Sequence, residues 1–385
     1  MTAPSEARTP PPPPSSPSPT TVSEPPAARR RRTTVVSWLL LAPTVLWALY
    51  SLLNFLLSGR WWLWLLPDLI PPVCFLLVPS ALLAACCLPD ARRPRRRLAP
   101  VLVLLLVTGL TRAGLNWTAL VPGGGPGPAP AGALKVFSWN TQYWDTTDDP
   151  DAFYRYLKSQ DADVYLLQEY LSWVAERPEP VDELARVERE FPGYQVEILG
   201  EQLTLSRFPV LAAPGVGQGK NVRPGTPWQE TFERGKVLRT DIDVRGRVVS
   251  FYNVHIPVQL DLERTVLSGG FYRETRRRDA QRDSHYAALR KDVAGNPNPV
   301  FVAGDFNTTP AMRDLYGLRD TLHDALPASD TVWPRTWNSK GVGLWRLDWA
   351  FTNDLLRVHR YDFVDPAGLS DHRAQSLVVS LGKRS

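Results

Sequence analysis

Eight polar residues sit where apolar, strand-like runs begin or end. Asn140 closes "LKVFSWN", Glu169 closes "DVYLLQE", and His255 lies near the end of "SFYNVHI". Asp305 and Asn307 follow "PVFVAG", Asp348 opens "LDWAF", and Asp371 and His372 precede "AQSLVVSL". Carboxylates and amides are hard oxygen donors that suit Mg²⁺ or a similar cation rather than a soft metal. An imidazole adds proton transfer or contact with an anion. Asp371 and His372 are adjacent on an extended segment, so they point to opposite sides and can serve different partners. Any one Asn or Asp in this set reads equally well as a turn former. Only the whole set, each member on a loop supported by a strand, points to a site.

The elements that must position these residues are legible from periodicity. "KVLRTDIDV", "RVVSFYNVHI" and the runs quoted above predict strands. Helical patterns fall at 150–159, 181–191 and 276–293. This density of strands predicts an α/β domain of two packed sheets with helices outside, over residues 134–385. Its part of the chain has no cysteine, since Cys74, Cys86 and Cys87 are the only three. A thiolate nucleophile or thiolate metal site is thereby excluded from it.

The N-terminal third has a different composition. Residues 1–33 are rich in Pro, Ser and Thr, end in four arginines (29–32), and are expected to form a disordered cytoplasmic tail. Three apolar stretches follow, about 35–57, 61–88 and 98–119, and are expected to be transmembrane helices. Pro67, Pro71, Pro72 and Pro79 interrupt the second, while Arg112 is the weak point of the third and can snorkel. Arginines concentrate before the first stretch and between the second and third, which places both on the cytoplasmic side. Three crossings then put the rest of the chain outside, with Trp61, Trp62 and Trp117 at the outer interface. Residues 120–133 read as a Gly/Pro linker.

Charge divides along the same line. The chain carries +5 in total, but the first 133 residues hold twelve arginines against four acids, leaving −3 for the remainder. That balance disfavours a duplex-binding surface, which needs a broad basic footprint. No protein partner follows from the sequence.

The motifs "FSWNTQ", "LLQEY", "LSRFPV", "YNVHIP", "AGDFNTTP", "RLDWAF" and "LSDHRAQ" occur in an order that resembles the endonuclease/exonuclease/phosphatase (DNase I-like) superfamily. The resemblance implies a four-layer α/β sandwich with two mixed β-sheets, here preceded by the membrane helices. It also implies a Mg²⁺ or Mn²⁺ cofactor, as one ion or two, held by Asn140, Glu169 and Asp371. His372 becomes a general base or an electrostatic clamp on phosphate, with Asp348 orienting it. Asp305 and Asn307 position water and the phosphoryl group, and His255 donates to a phosphate oxygen. AP endonucleases usually carry tyrosine and asparagine where this chain reads "NVHIP", so His255 points toward the phosphatase, sphingomyelinase and DNase I branches.

The architecture resembles the membrane-anchored VanJ-type teicoplanin-resistance proteins of actinobacteria. The expected activity is hydrolysis of a phosphate ester or pyrophosphate at the outer face of the cell membrane, with a lipid phosphate of cell-wall synthesis as substrate. A tethered extracellular nuclease and a non-catalytic binding module are the alternatives. Arg207 and the arginine-rich helix near 276–293 read as structural or solvated positions. Trp228 reads equally as a packing or substrate residue, and His285, His323 and His359 match no motif.

Overall fold

The computed structural model describes residues 26–382, except 89–90, 124–126, 145–148, 176, 262–263 and 340. Most of the expected N-terminal tail lies outside these residues. Its last part, 26–33, is the beginning of a helix rather than disordered chain.

Seven helices are described: α1 (Pro26–Leu57), α2 (Cys74–Ala85), α3 (Arg92–Gly109), α4 (Pro150–Ser159), α5 (Leu184–Glu190), α6 (Trp228–Arg234) and α7 (Gly269–Ala294). The strands are β1 (Leu134–Asn140), β2 (Val164–Gln168), β3 (Leu171–Val174), β4 (Arg177–Pro180), β5 (Gln195–Leu199), β6 (Gln202–Ser206), β7 (Val210–Ala212) and β8 (Val237–Val244). They continue as β9 (Arg247–His255), β10 (Val300–Asp305), β11 (His323–Asp324), β12 (Trp337–Ser339), β13 (Val342–Trp345), β14 (Asp348–Thr352), β15 (Leu356–Val364) and β16 (Ala374–Leu381).

Two six-stranded mixed sheets form the centre, in the orders β15-β16-β1-β2-β6-β5 and β11-β14-β10-β9-β8-β7. Each has one parallel pair, β1 with β2 and β9 with β10, among antiparallel neighbours. Alternation along each strand assigns its two faces. Val136, Val164, Leu166, Phe251, Phe301, Ala303 and Ala350 fill the space between the sheets. Phe137, Trp139, Tyr165 and Leu167 point the other way, onto α4 and α5. Tyr252, Val254, Val302 and Phe351 pack against Tyr286 and Leu289 of α7. The result is the expected four-layer α/β sandwich.

The expected helices are present and start where capping permits. Asp149 accepts bonds from the backbone N–H of Asp151 and Ala152 ahead of Pro150, and Ser268 caps Phe271 at the start of α7. Between the sheets, Gln168 Nε2 donates to Asn253 Oδ1 (2.6 Å), and Asn253 Nδ2 donates to the carbonyls of Leu167 and Leu203.

The N-terminal region departs from expectation. Thr34–Leu57 is 24 residues of apolar helix, long enough to cross a bilayer. The second stretch is not one helix. The segments Trp62–Leu69 and Cys74–Ala85 meet at 58°. Pro67, Pro71 and Pro72 explain the break, because proline lacks the amide proton and restricts the residue before it. Helix α3 has 18 residues and begins with five arginines, and residues 110–117 do not extend it. Its apolar part is shorter than the roughly 20 residues a span requires. Among the described residues, one helix is therefore long and apolar enough to cross, or two spans if the bent pair counts as one.

The helical region packs directly on the sandwich. Asn116 N–H bonds Val332 O at 2.8 Å, and Arg313 Nη1 donates to Phe55 O at 3.0 Å. The described residues of the 120–133 segment carry no strand and no helix beyond a short 3-10 turn at Thr118–Leu120.

Candidate active site

Strand register brings the polar residues to one end of the sandwich. Asp305 pairs with His255 on one side and with Asp348 on the other, so three residues from β9, β10 and β14 form a row. Asp305 shares the parity of Phe301 and Ala303, and therefore faces the space between the sheets. Asn140 has the parity of Val136 and meets it from the opposite sheet. Its Nδ2 donates to Glu169 Oε1 (2.9 Å) and Asp305 Oδ2 (3.2 Å).

Glu169 leaves β2 with φ +64°, and Asn307 has φ +45°. Both are non-glycine residues in the left-handed region, a conformation that costs energy and is held by its surroundings. For Glu169 the holding bond is Tyr143 N–H to Oε2, 3.0 Å. For Asn307 the backbone N–H bonds Asp305 Oδ1 (2.8 Å), and Nδ2 donates to Ile256 O and Asp305 Oδ2.

His372 lies buried beside this group. Its Nδ1 is 2.9 Å from Asp348 Oδ2, and its Nε2 is 3.7 Å from Asp305 Oδ2. Ser370 Oγ accepts from His372 N–H and donates to Asn140 O, fixing the loop to β1. Burial alone would lower the pKa of His372, but the carboxylates of Asp348 and Asp305 outweigh it and push it up to about 10. Burial raises Asp305 above the usual carboxylate range, with His372 opposing and Asp348 adding to the shift.

His255 occupies the other flank. Its Nε2 is 3.7 Å from Asp305 Oδ2 and 3.9 Å from Glu169 Oε1, while Nδ1 is 3.1 Å from Glu201 Oε1. Glu201 also forms a short ion pair with Lys236, and both side chains are buried. Burial would raise the Glu201 carboxyl, but His255 and Lys236 dominate and hold it down at about 2. Burial pushes His255 down and Glu201 pushes it up, with a net rise.

All eight expected residues thus stand within one linked set, with Asp371 at its edge. Its carboxylate accepts from Trp337 Nε1 at 2.9 Å, and Oδ1 is 3.9 Å from His372 Nε2, so it sits at the rim rather than beside Asn140 and Glu169. Among the described residues, the acids and histidines spaced to grip one ion are Asp305, Asp348 and His372. Two of these already form a hydrogen-bonded pair. The donors near Asn140 nevertheless suit a hard divalent cation: the carboxylates of Glu169 and Asp305 converge on the same amide nitrogen.

Glu201 and Lys236 are absent from the sequence-derived set. Glu201 follows Gly200 in a tight connection between β5 and β6, where an acid reads as ordinary turn chemistry. The arginine-rich helix divides: Arg282 is buried and bonds Pro257 O, Thr308 and Asp314, whereas Arg277 and Arg278 reach the cavity rim in pairs with Glu274. Arg207 pairs with Asp161 and Asp163 at the opposite end of β2. Trp228 donates to Pro178 O, a packing role. His285 bonds Glu233 O behind the Glu201–Lys236 pair, while His323 pairs with Asp354 and His359 meets Ser380, both away from the linked set.

The set opens into a cavity of about 700 Å³ that also touches Trp173, Val258, Leu260, Trp337, Trp345 and Leu69.

Residues 137–372 match the description Endonuclease/Exonuclease/phosphatase family. No curated protein matches the chain. Among solved structures, an endonuclease/exonuclease/phosphatase family protein from Bacteroides thetaiotaomicron is 14% identical, with a TM-score of 0.45, covering 65% of this chain and 98% of that one. A mannosyl-6-phosphatase from Bacteroides thetaiotaomicron VPI-5482 is 15% identical at TM-score 0.44, covering 64% and 100%. A 3′ phosphatase from Neisseria, bound to product DNA hairpin, is 15% identical at TM-score 0.44, covering 65% and 100%.

Proposed function

The chain belongs to the endonuclease/exonuclease/phosphatase family, whose members hydrolyse phosphate esters, and on that premise we propose that it is a membrane-anchored, divalent-metal-dependent phosphoesterase acting on a lipid phosphate or pyrophosphate at the outer face. The observation that carries this reading is the convergence of Glu169, Asp305, His255 and His372 around one cavity.

Glu169 and Asn140 would hold Mg²⁺ or Mn²⁺, with Asp371 approaching from the rim. The ion supplies charge neutralisation at the phosphoryl oxygens. The remaining work falls to the protein's own groups. The carboxylates that raise His372 favour its charged form, so it would act as an electrostatic clamp on a phosphoryl oxygen through Nε2 rather than as a base. Asp348 holds Nδ1 and stabilises that charge. Asp305, raised by burial and lying 3.7 Å from both imidazoles, orients the attacking water with Asn307 and accepts its proton. His255, which Glu201 pushes up against the effect of burial, would donate to a second phosphate oxygen.

Helix α1 supports the anchor, and the arginines at its start favour a cytoplasmic N-terminus, from which a single crossing leads to an outer sandwich. The −3 charge of residues 134–385 favours a small phosphoester over duplex DNA. The deciding assay sets phosphate release from a lipid pyrophosphate in detergent with Mg²⁺ against nicking of plasmid DNA. Glu169→Ala and His372→Ala serve as controls. Nicking without phosphate release would replace this reading with a tethered nuclease, and activity surviving both substitutions would overturn the site. A reporter fused after Ser385 tests the topology: activity on the cytoplasmic side would overturn the outer placement.

A further inference from the structure

We propose that the active site is completed from outside the catalytic domain: the bend between α1 and α2 supplies an apolar wall that receives the hydrocarbon chain of the phosphorylated substrate.

The wall is built around Leu69. This residue lies far outside the 137–372 family region, yet it lines the same cavity as Glu169, His255 and His372. Its carbonyl accepts from Trp345 Nε1 at 3.1 Å. Trp345 packs on Trp337 with ring centroids 5.6 Å apart, and Trp337 Nε1 bonds Asp371 beside His372. A continuous surface therefore runs from the bend to the phosphoryl-handling end. On its other side, Leu69 and the neighbouring Leu65 pack with Leu260, Phe271 and Met312 of the sandwich.

The bend is fixed rather than draped. Asp68 is buried and its two oxygens accept from Asn54 Nδ2 of α1 and from Ser58 Oγ just past its end, each at 2.8 Å. That carboxylate lies at the cavity edge with a bond to each oxygen, and it holds the backbone of the bend in position. Helix α1 itself exposes Trp38, Leu46, Leu52 and Phe55 along its length, as a helix facing lipid does. The wall thus lies between the sandwich and the end of a helix with an exposed apolar surface. Around Leu69 the apolar lining is Val258 and Leu260, while the intervening Gln259 is turned to Asn307 O. An alkyl or isoprenoid chain buries apolar area there, which stabilises binding in proportion to the area removed from water.

This inference rests on the phosphoesterase reading, and its test separates the two. The full chain in detergent is given a long-chain alkyl phosphate and a short-chain, water-soluble one. Trp345→Phe removes the bond to Leu69 O and part of the indole's packing on Trp337; Leu69→Asn places a polar group in the wall. Each variant is expected to lower kcat/KM for the long chain about tenfold or more, with less than twofold change for the short chain. Equal losses on both substrates, or no loss on either, would overturn the wall. A second measurement does not depend on turnover. An alkyl phosphate bearing a diazirine on its chain should crosslink within 65–70 and 257–260, with plain alkyl phosphate competing. Crosslinking there without hydrolysis would retain the wall and remove the phosphoesterase reading; crosslinking only elsewhere removes the wall.

Discussion

Asp348 and His372 form a buried pair, Oδ2 to Nδ1 at 2.9 Å, in which the carboxylate is positioned by strand register and the imidazole by a loop tied to a different sheet. The pair therefore reports whether the two sheets are seated correctly.

It also sets a pH dependence. The folded pKa of His372, about 10, lies above the unfolded value near 6.5. Its stabilisation is therefore complete below about pH 6.5 and is lost as pH rises through 10. Asp348→Asn should remove most of this. The variant's melting temperature should lose the alkaline decline that the parent shows between pH 7 and 10, and kcat/KM should fall by about 10²-fold or more. An unchanged alkaline profile would contradict the pairing.

Glu201 behaves with the opposite sign. Its folded pKa, about 2, lies below the ordinary 4.5, so its contribution is present above about pH 4.5 and is lost as pH falls through 2. Lys236→Met leaves a buried carboxylate without one of its two cationic partners and should cost about 3 kcal/mol. Adding Glu201→Gln should restore a large part of that, measured as thermal shifts of the single and double variants. If the double variant is no more stable than Lys236→Met alone, the coupling is absent.

Glu169→Gln should reduce phosphate release by about 10²-fold and raise the Mg²⁺ concentration giving half-maximal activity. Chelation with EDTA should abolish activity, and added Mg²⁺ or Mn²⁺ should restore it. A variant with an unaltered Mg²⁺ dependence would place the ion elsewhere.

Asn253→Ala strips partners from Gln168 Nε2 and from the carbonyls of Leu167 and Leu203, all buried. The expected cost is about 2 kcal/mol. Because Gln168 precedes Glu169, kcat should fall as well, and Asn253→Gln should not rescue it, since the longer side chain cannot reach both strands in the same geometry. Chemical unfolding monitored alongside kcat checks both effects.

The alternation of apolar and polar residues made the central strands readable, and with them the strand-end residues from Asn140 to His372. Asp371 was legible as an acid beside a histidine, but its rim position depends on Trp337, which lies in a short hairpin with no strong strand pattern. Glu201 and Lys236 were hidden for a related reason. Each is one polar residue at the edge of an ordinary strand, and only the pairing of β8 with β9 and of β5 with β6 brings them to His255. In the N-terminal region, hydropathy counts composition and not amide protons. It therefore reads 61–88 as one span although Pro67, Pro71 and Pro72 break it.

The bond from Trp345 to Leu69 has a practical corollary for biochemistry. A truncated fragment starting at Leu134 would carry every acid and imidazole of the site yet lack one side of its pocket, admitting bulk solvent where a greasy tail belongs. Rates obtained from such a fragment with small soluble esters would describe a different catalyst from the intact polypeptide.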